Sequence, residues 1–165
     1  TLGMIRAGTL PQDAKVVSVE TSKALPGIAF GSGPVIRLGD RTSMFHHEMV
    51  LFLDRVAQAL RRRNPRFAYQ RRVMDGGTCE ATPYQLGGYV AGGIAIPLGN
   101  YHNQGKEKIR AEIVHIKDCE GAVNFMVEMV KRIDEFHIAR GEIQRRWEGL
   151  WEKYGGRRAA AGGEG

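Results

Sequence analysis

The sequence has little cysteine and no long apolar run. Its two cysteines, Cys79 and Cys119, are too few and too far apart for a disulfide framework or a CxxC metal site. No segment approaches the roughly 20 consecutive apolar residues of a membrane helix. The amino terminus TLGMIRAGTL also lacks the order of a secretory signal. These absences predict a cytoplasmic protein with reduced thiols and no membrane partner.

The sequence also lacks the signatures of nucleotide and nucleic-acid binding. It contains no GxGxxG motif and no glycine-rich loop that ends in Lys-Ser or Lys-Thr. The net charge of +6 raises nucleic acid as a partner, and arginines are densest in the segments 61–66 and 70–73. These arginines fall where a predicted helix ends, so favourable charge at the helix carboxyl end accounts for several of them. Without an aromatic RNA-binding signature or zinc-finger spacing, nucleic acid is not the favoured partner.

The hydrophobic pattern alternates between short β-branched segments and amphipathic helical ones, in one domain of 165 residues. Strands are predicted at 15–20, 34–39, 66–73, 92–98 and 108–116, and helices at 44–63, 79–87 and 119–154. We expect the last helix to break near Gly141. This order predicts an α/β domain over residues 1–154, with a mostly parallel mixed sheet flanked by helices. Residues 155–165 are predicted to form a flexible tail.

Two ionisable side chains, which a hydrophobic core does not require, lie at or just after the ends of predicted strands. Glu20 closes the strand KVVSVE, and His102 comes shortly after the strand IAIPL. Taken one at a time, Glu20 fits a turn or cap role and His102 fits a hydrogen-bonded surface role. Both are nevertheless expected at the carboxyl edge of the sheet, where α/β proteins bind ligands. A carboxylate and an imidazole at one edge suit a borderline cation such as zinc.

The segment GDRTSMF is expected to cap the helix that follows it. Asp40 ends a predicted strand, and Thr42 or Ser43 is the preferred N-cap. His46 and His47 then lie at the start of the helix, where adjacent side chains point about 100° apart and do not share one ion comfortably. We therefore expect these histidines to be structural or to lie at the rim of a site.

A glycine pair precedes the predicted short helix at 79–87, in the segment DGGTCEA. At a strand-to-helix turn, such a pair lets backbone N–H groups approach an anion. The anion could be a phosphate or a substrate carboxylate, and the glycines could equally serve tight packing. The absence of nucleotide motifs makes phosphate the weaker choice.

The order of these segments resembles a known family. VVSVETSKALPG, GSGPVIRLGD, a helix, GGTCEA and IAIPLGNYHN follow one another as in the C-terminal part of the catalytic domain of dinuclear zinc exopeptidases. The resemblance is strongest to the glutamyl aminopeptidase (tetrahedral aminopeptidase, cellulase-M-like) family and covers roughly residues 15–130. It implies a metallopeptidase that cleaves peptide amide bonds with two zinc ions, cobalt or manganese being alternatives, and that forms a homo-oligomer when complete.

The resemblance also implies roles for particular residues. Glu20 stands where the family has a strand aspartate that binds one zinc, and His102 stands where a Tyr-x-His motif supplies a ligand to the other. The substrate site is expected to be lined by the matched residues Gly76, Gly77, Thr78 and Tyr101. This chain departs from the family at Cys79 and Glu80, which replace an Asp-Ala pair, and at Asn103, which stands where serine is common.

The remaining family residues cannot be placed in this sequence. A first histidine, a bridging aspartate and a Glu-Glu pair that includes the general base should precede the strand of Glu20, and residues 1–19 contain none of these motifs. We therefore expect a piece of a larger peptidase, inactive alone, with the catalytic base upstream of Thr1. The alternative is a non-catalytic α/β interaction domain that docks through residues 119–154, whose apolar stripe extends to Trp147 and Trp151.

Overall fold

The structure, a computed structural model, describes residues 1–105 and 107–154, with the backbone alone at 139 and 140. Short 3₁₀ turns occur at Tyr101–Asn103 and Ile133–Glu135. The helices and strands are α1 (Leu2–Ala7), β1 (Lys15–Lys23), β2 (Val35–Asp40), α2 (His47–Arg63), β3 (Gln70–Met74), α3 (Ala81–Leu86), β4 (Val90–Gly99), β5 (Ile113–Val114), α4 (Ile116–Lys131) and α5 (Phe136–Tyr154).

The strands form one mixed sheet in the order β1-β4-β2-β3, and β5 also pairs with β4. The pairs β1–β4 and β2–β3 are parallel, whereas β4 is antiparallel to both β2 and β5. Glu20 lies opposite Ala95, and Arg37 lies opposite Gly93. The predicted α/β architecture, with a mixed sheet flanked by helices, is confirmed.

The main core lies between one face of the sheet and the helices α2, α4 and α5. Helix α2 buries residues at helical spacing, Phe52, Leu53 and Val56 among them, against Ile36 and Ile94 of the sheet. Burying each side chain of this size stabilises the fold by about 1.5–3 kcal/mol. The helix ends before Asn64, because Pro65 disfavours the helical conformation of the residue before it.

The opposite face of the sheet carries smaller and more polar residues. Two small apolar clusters lie there, one around Phe45 and Ala91 and the other around Val35 and Ala95. Side chains alternate between the two faces of a strand, so Glu20 shares this face with Ser22 of β1 and with Arg37 of β2. The candidate site lies on this face.

Two predicted elements and the position of one predicted helix break are wrong. The predicted strand at 108–116 is reduced to Ile113–Val114. The predicted helix at 119–154 is two helices that are separated at 132–135, and Gly141 lies inside α5. The reason for the break is tertiary packing: Phe136 packs against Phe52 with ring centroids 5.4 Å apart, which turns the chain back onto α2.

Two further expectations also change. The N-cap of α2 is His46, which makes no side-chain capping bond, and neither Thr42 nor Ser43 opens the helix. Glu20 does not close its strand, because β1 continues to Lys23 in register with β4.

The predicted flexible tail at 155–165 lies outside the described residues. Within the described residues, none of the helices has the length and apolar character needed to cross a bilayer.

Candidate active site

A small cleft brings together most of the residues expected at a site. Its volume is about 90 Å³, well below the roughly 300–1,000 Å³ of pockets that enclose small ligands. The cleft alone is therefore too small to enclose a dipeptide and forms at most one wall of a peptide site. It is lined by Glu20, Thr21, Ser22, Lys23, Leu25, Arg37, Met74, Gly76, Gly77, Thr78 and Tyr101. His102 is not part of this lining.

The carboxylate of Glu20 is paired with a buried guanidinium. Nη1 of Arg37 donates to Oε1 of Glu20, and it also donates to Oγ of Ser22 at 3.0 Å. The Ser22 hydroxyl in turn donates to the same Glu20 oxygen at 2.8 Å. The Arg37 side chain is 2% exposed and the Glu20 side chain 36%. Burial lowers the pKa of Arg37, but an arginine stays protonated throughout the usual pH range.

A glycine in the central strand gives Arg37 its path to Glu20. Arg37 is on β2 and Glu20 is on β1, so the side chain must cross β4, which lies between them. It crosses at Gly93, where an added Cβ would lie 3.1 Å from Cδ of Arg37 and 3.2 Å from the Phe45 ring. The missing side chain at position 93 therefore makes the ion pair possible.

Asp40 fixes the turn that carries Gly77 and Thr78. Its Oδ1 accepts from the backbone N–H groups of Thr42 and Ser43 at 2.7 and 3.0 Å. Its Oδ2 accepts from the Cys79 N–H at 2.9 Å and from the Thr82 hydroxyl at 2.7 Å. Burial alone would raise the pKa of Asp40, but these four hydrogen bonds outweigh it, and the pKa lies below its usual value. Asp40 therefore joins the end of β2 to the start of α3.

The hydroxyls expected to cap α2 hold the glycine turn instead. Thr42 Oγ1 is hydrogen-bonded to Thr78 Oγ1, and Ser43 Oγ lies 2.7 Å from Thr82 Oγ1. The backbone N–H of Arg41 donates to the carbonyl of Gly77 at 3.0 Å. These bonds position the wall of the cleft against the end of β2.

His102 lies in a strained turn that follows β4. Asn100, His102 and Asn103 have φ values of 51°, 58° and 60°, in the left-handed region that few residues other than glycine occupy. The turn is held by side-chain and backbone bonds to residues 110–112, including a 2.8 Å bond from the His102 N–H to Glu112 Oε1. The exposed His102 ring stacks on Tyr101 at 3.9 Å between centroids. Tyr101 lines the cleft, but His102 does not.

The residues present do not by themselves fit a zinc centre. In the described parts of the chain, 1–105 and 107–154, no three His, Cys, Asp or Glu side chains are grouped closely enough to hold an ion. Catalytic zinc sites have three protein ligands. The Glu20 carboxylate accepts hydrogen bonds from Arg37 and Ser22, and His102 lies outside the cleft.

Sequence reasoning missed two features that had readable signals. Arg37 is a charge in the middle of the apolar strand PVIRLG, and a buried charge requires a partner. The paired asparagines in the segment NYHN are the residues that most often adopt left-handed conformations other than glycine. The first signal predicts an ion pair within the sheet, and the second predicts the strained turn.

Solved aminopeptidases share this fold. A TET aminopeptidase from a marine sediment Thaumarchaeota archaeon has a TM-score of 0.59 and 21% identity, over 82% of this chain and 38% of its own. The TET1 peptidase of Pyrococcus horikoshii has a TM-score of 0.57 and 17% identity, over 78% of this chain and 36% of its own. An aminopeptidase of Desulfurococcus kamchatkensis has a TM-score of 0.54 and 24% identity, over 78% of this chain and 36% of its own. This chain therefore spans little more than a third of their length.

The fold is thus that of an aminopeptidase α/β domain. Residues 11–125 match the family model of M42 glutamyl aminopeptidases. The chain belongs to this family, and the resemblance stated from its sequence is confirmed. No curated protein matches the sequence.

Proposed function

We propose that this chain forms one wall of the peptide site in an aminopeptidase that hydrolyses amide bonds. The observation that carries the proposal is the cleft, which gathers Glu20, Tyr101 and the 76–78 turn in a chain of the M42 family. Gly76 and Gly77 present backbone that a substrate can approach closely, since neither has a side chain. The hydroxyls of Thr78 and Tyr101 are suited to orient a peptide by hydrogen bonds.

Zinc is the proposed cofactor of the complete protein, with cobalt or manganese as alternatives. Glu20 and His102 are the proposed ligands, one for each of two ions. Since these two residues do not make a centre, the remaining ligands and the general base are proposed to come from outside residues 1–165. On this proposal the isolated chain is inactive. It is also proposed to be cytoplasmic, in keeping with its free cysteines.

A chimera tests the catalytic proposal. The part of the Desulfurococcus kamchatkensis aminopeptidase that this chain overlaps is replaced by this chain, and cleavage of aminoacyl-p-nitroanilides is measured with added Zn²⁺, Co²⁺ or Mn²⁺. We expect activity in the chimera and none in the isolated chain. Glu20→Ala and His102→Ala should each lower kcat/KM by at least about 100-fold, as loss of a metal ligand or its support does.

The matched controls are Glu107→Ala and His137→Ala, which change exposed residues outside the cleft lining. They should leave kcat/KM unchanged. Full activity in either Glu20→Ala or His102→Ala, in a chimera that is itself active, contradicts the ligand assignment.

A second candidate function is docking without catalysis. Trp147 and Trp151 on α5 are 67% and 70% exposed, and tryptophan is enriched at the centres of protein interfaces. A partner-bound or self-associated chain would cover this helix. Light scattering of the isolated chain and of a Trp147→Ala, Trp151→Ala variant tests this function. A stable oligomer that dissociates in the variant supports docking, and a monomer in both contradicts it.

The complete enzyme is proposed to be a homo-oligomer. The Pyrococcus horikoshii TET1 peptidase, which shares the fold, assembles into a tetrahedron or an octahedral shell. Light scattering of the active chimera measures this directly, and a monomeric active chimera contradicts the proposal.

A further inference from the structure

Helix α5 lies beyond the part of the chain that matches the M42 family. The family match ends at residue 125, and α5 begins at Phe136. Only the start of the helix is packed, where Phe136 is buried against Phe52 of α2. Every residue from 142 to 154 is exposed. A helical stretch of this length is marginal in water unless one of its faces is packed, so we expect a further surface to cover it.

The exposed apolar residues of α5 have the spacing of a coiled-coil seam. Ile143, Trp147, Leu150 and Tyr154 are separated by steps of 4, 3 and 4 residues, as alternating d and a positions are in a heptad repeat. These four residues, which we call the α5 seam, are between 38% and 67% exposed. Residues at a and d positions pack into the holes of a facing helix. The α5 seam therefore fits another helix better than it fits a flat surface.

The α5 seam exposes enough apolar area for a dimer of two such helices. Trp147 and the adjacent Trp151 are each about two-thirds exposed, so these two side chains alone offer about 300 Å². With the other three seam residues, one copy of the chain offers roughly 500 Å². Two copies would bury about 1,000 Å² in total, which is about the smallest area of a specific interface.

The side chains beside the α5 seam favour parallel over antiparallel pairing. In the same heptad register, Arg146 and Lys153 are at g positions and Trp151 is at an e position. Antiparallel pairing puts the g positions of both copies on one flank, where two arginines and two lysines would repel one another. Parallel pairing places each g position beside an e position of the other helix. Arg146 then lies beside Trp151 of the second copy, where a cation–π contact is favourable.

We propose that α5 pairs in parallel with α5 of a second copy of this chain, through the α5 seam. This inference rests on the docking function described above and deepens it by naming the partner and the orientation. The cleft with Glu20 and Tyr101 lies on the sheet face opposite to the one that α2, α4 and α5 cover. The dimer therefore leaves the cleft open.

Sedimentation equilibrium of the whole chain tests the pairing. The unchanged chain should dimerise with a Kd of about 1–100 µM, as expected of a small interface. Leu150→Glu puts two unpaired carboxylates into the seam of the dimer and should raise the Kd at least about 30-fold. The matched control is Gly149→Glu, which adds the same charge at an adjacent position where an added Cβ meets no other atom. Its Kd should stay within about threefold of that of the unchanged chain.

Disulfide trapping in a glutathione buffer tests the orientation and does not require Leu150→Glu to fold. Tyr154→Cys and the control Gly149→Cys are each combined with Cys119→Ser, which leaves the buried Cys79. Parallel pairing places position 154 of one copy opposite position 154 of the other, so Tyr154→Cys should form a disulfide dimer. Gly149→Cys, at a c position away from the seam, should not. In an antiparallel pair, the two 154 positions would lie roughly 16 Å apart along the helices, too far for a disulfide.

Three results overturn the proposal. The first is an unchanged chain that is monomeric at about 300 µM, which excludes a second copy as the partner. The second is a dimer whose Kd is the same in Leu150→Glu. The third is a dimer in which Tyr154→Cys forms no more disulfide than Gly149→Cys, and this result leaves the docking function itself intact. Because none of these measurements involves catalysis, an inactive chimera would contradict the proposed peptidase function alone.

Discussion

Replacing Asp40 should unfasten the glycine turn from the sheet. Asp40 is 5% exposed and accepts four hydrogen bonds, two of them from the buried Cys79 N–H and Thr82 hydroxyl. A hydrogen bond to a charged group contributes about 1.5–3 kcal/mol. The two part-buried bonds from Thr42 and Ser43 contribute less, and the four are not additive. We therefore expect Asp40→Ala to lower the free energy of unfolding by about 3–5 kcal/mol.

Urea denaturation at pH 7, followed by far-ultraviolet circular dichroism, measures this loss. Asp40→Asn keeps one acceptor oxygen but turns an amide N–H₂ toward donors, so it should cost about 2–3 kcal/mol. Asp13→Ala is the matched control, because Asp13 is exposed and such substitutions change stability by less than about 0.5 kcal/mol. A loss below about 1 kcal/mol in Asp40→Ala would refute the account of the four bonds.

The same carboxylate should make stability depend on pH. The pKa of Asp40 in the folded chain lies below its usual value of 3.8. A lowered folded pKa stabilises the fold above the usual value, and this contribution is lost as the pH falls through the folded pKa. Below about pH 4, the unchanged chain should therefore lose stability more steeply than Asp40→Asn. Equal slopes for the two chains in urea titrations between pH 3 and pH 7 would contradict this expectation.

Two further predictions concern charge and backbone. Because Arg37 is far more buried than Glu20, Glu20→Gln should cost about 2–3 kcal/mol and Arg37→Met less than about 1.5 kcal/mol in urea denaturation; equal costs would contradict the asymmetry. Gly33 has φ +88°, and an added Cβ would lie 1.8 Å from the carbonyl oxygen of Ala68. Gly33→Ala should therefore lower the free energy of unfolding by about 3 kcal/mol or more. The control Gly149→Ala, in open space on α5, should stabilise the chain by up to about 1 kcal/mol. A Gly33→Ala variant as stable as the unchanged chain would refute the close approach to Ala68.

Local pattern was enough to predict the elements of the sheet and α2. The β-branched segments at 15–20 and 34–39 and the buried run at 92–98 lie within a residue or three of β1, β2 and β4. The helical spacing of apolar residues in 44–63 likewise gave α2. Periodicity does not indicate which residues share a site. The family resemblance supplied this information, because it implied that Glu20, Tyr101 and the 76–78 turn belong to one site.

Features that depend on distant contacts could not be read locally. The break at 132–135 follows from the packing of Phe136 on Phe52, residues that are far apart in sequence. Asp40 accepts from residues that precede and follow β3 in sequence, so the expectation that its segment caps α2 missed these bonds. The ion pair of Arg37 and Glu20 likewise depends on the strand order, which puts β4 between their strands.

The two adjacent glycines of β4 face different neighbours, so substitutions at the two positions have different consequences. An added Cβ at Gly92 would lie 2.5 Å from Met49 of α2, whereas one at Gly93 would crowd Arg37 on the other face. A side chain at 92 is therefore opposed by helix packing whatever stands at 37. A side chain at 93 would meet both Arg37 and the Phe45 ring, so it needs room from both of these neighbours. The effect of a substitution at 93 therefore depends on the residues at 37 and 45, whereas the effect of one at 92 depends on the packing of α2.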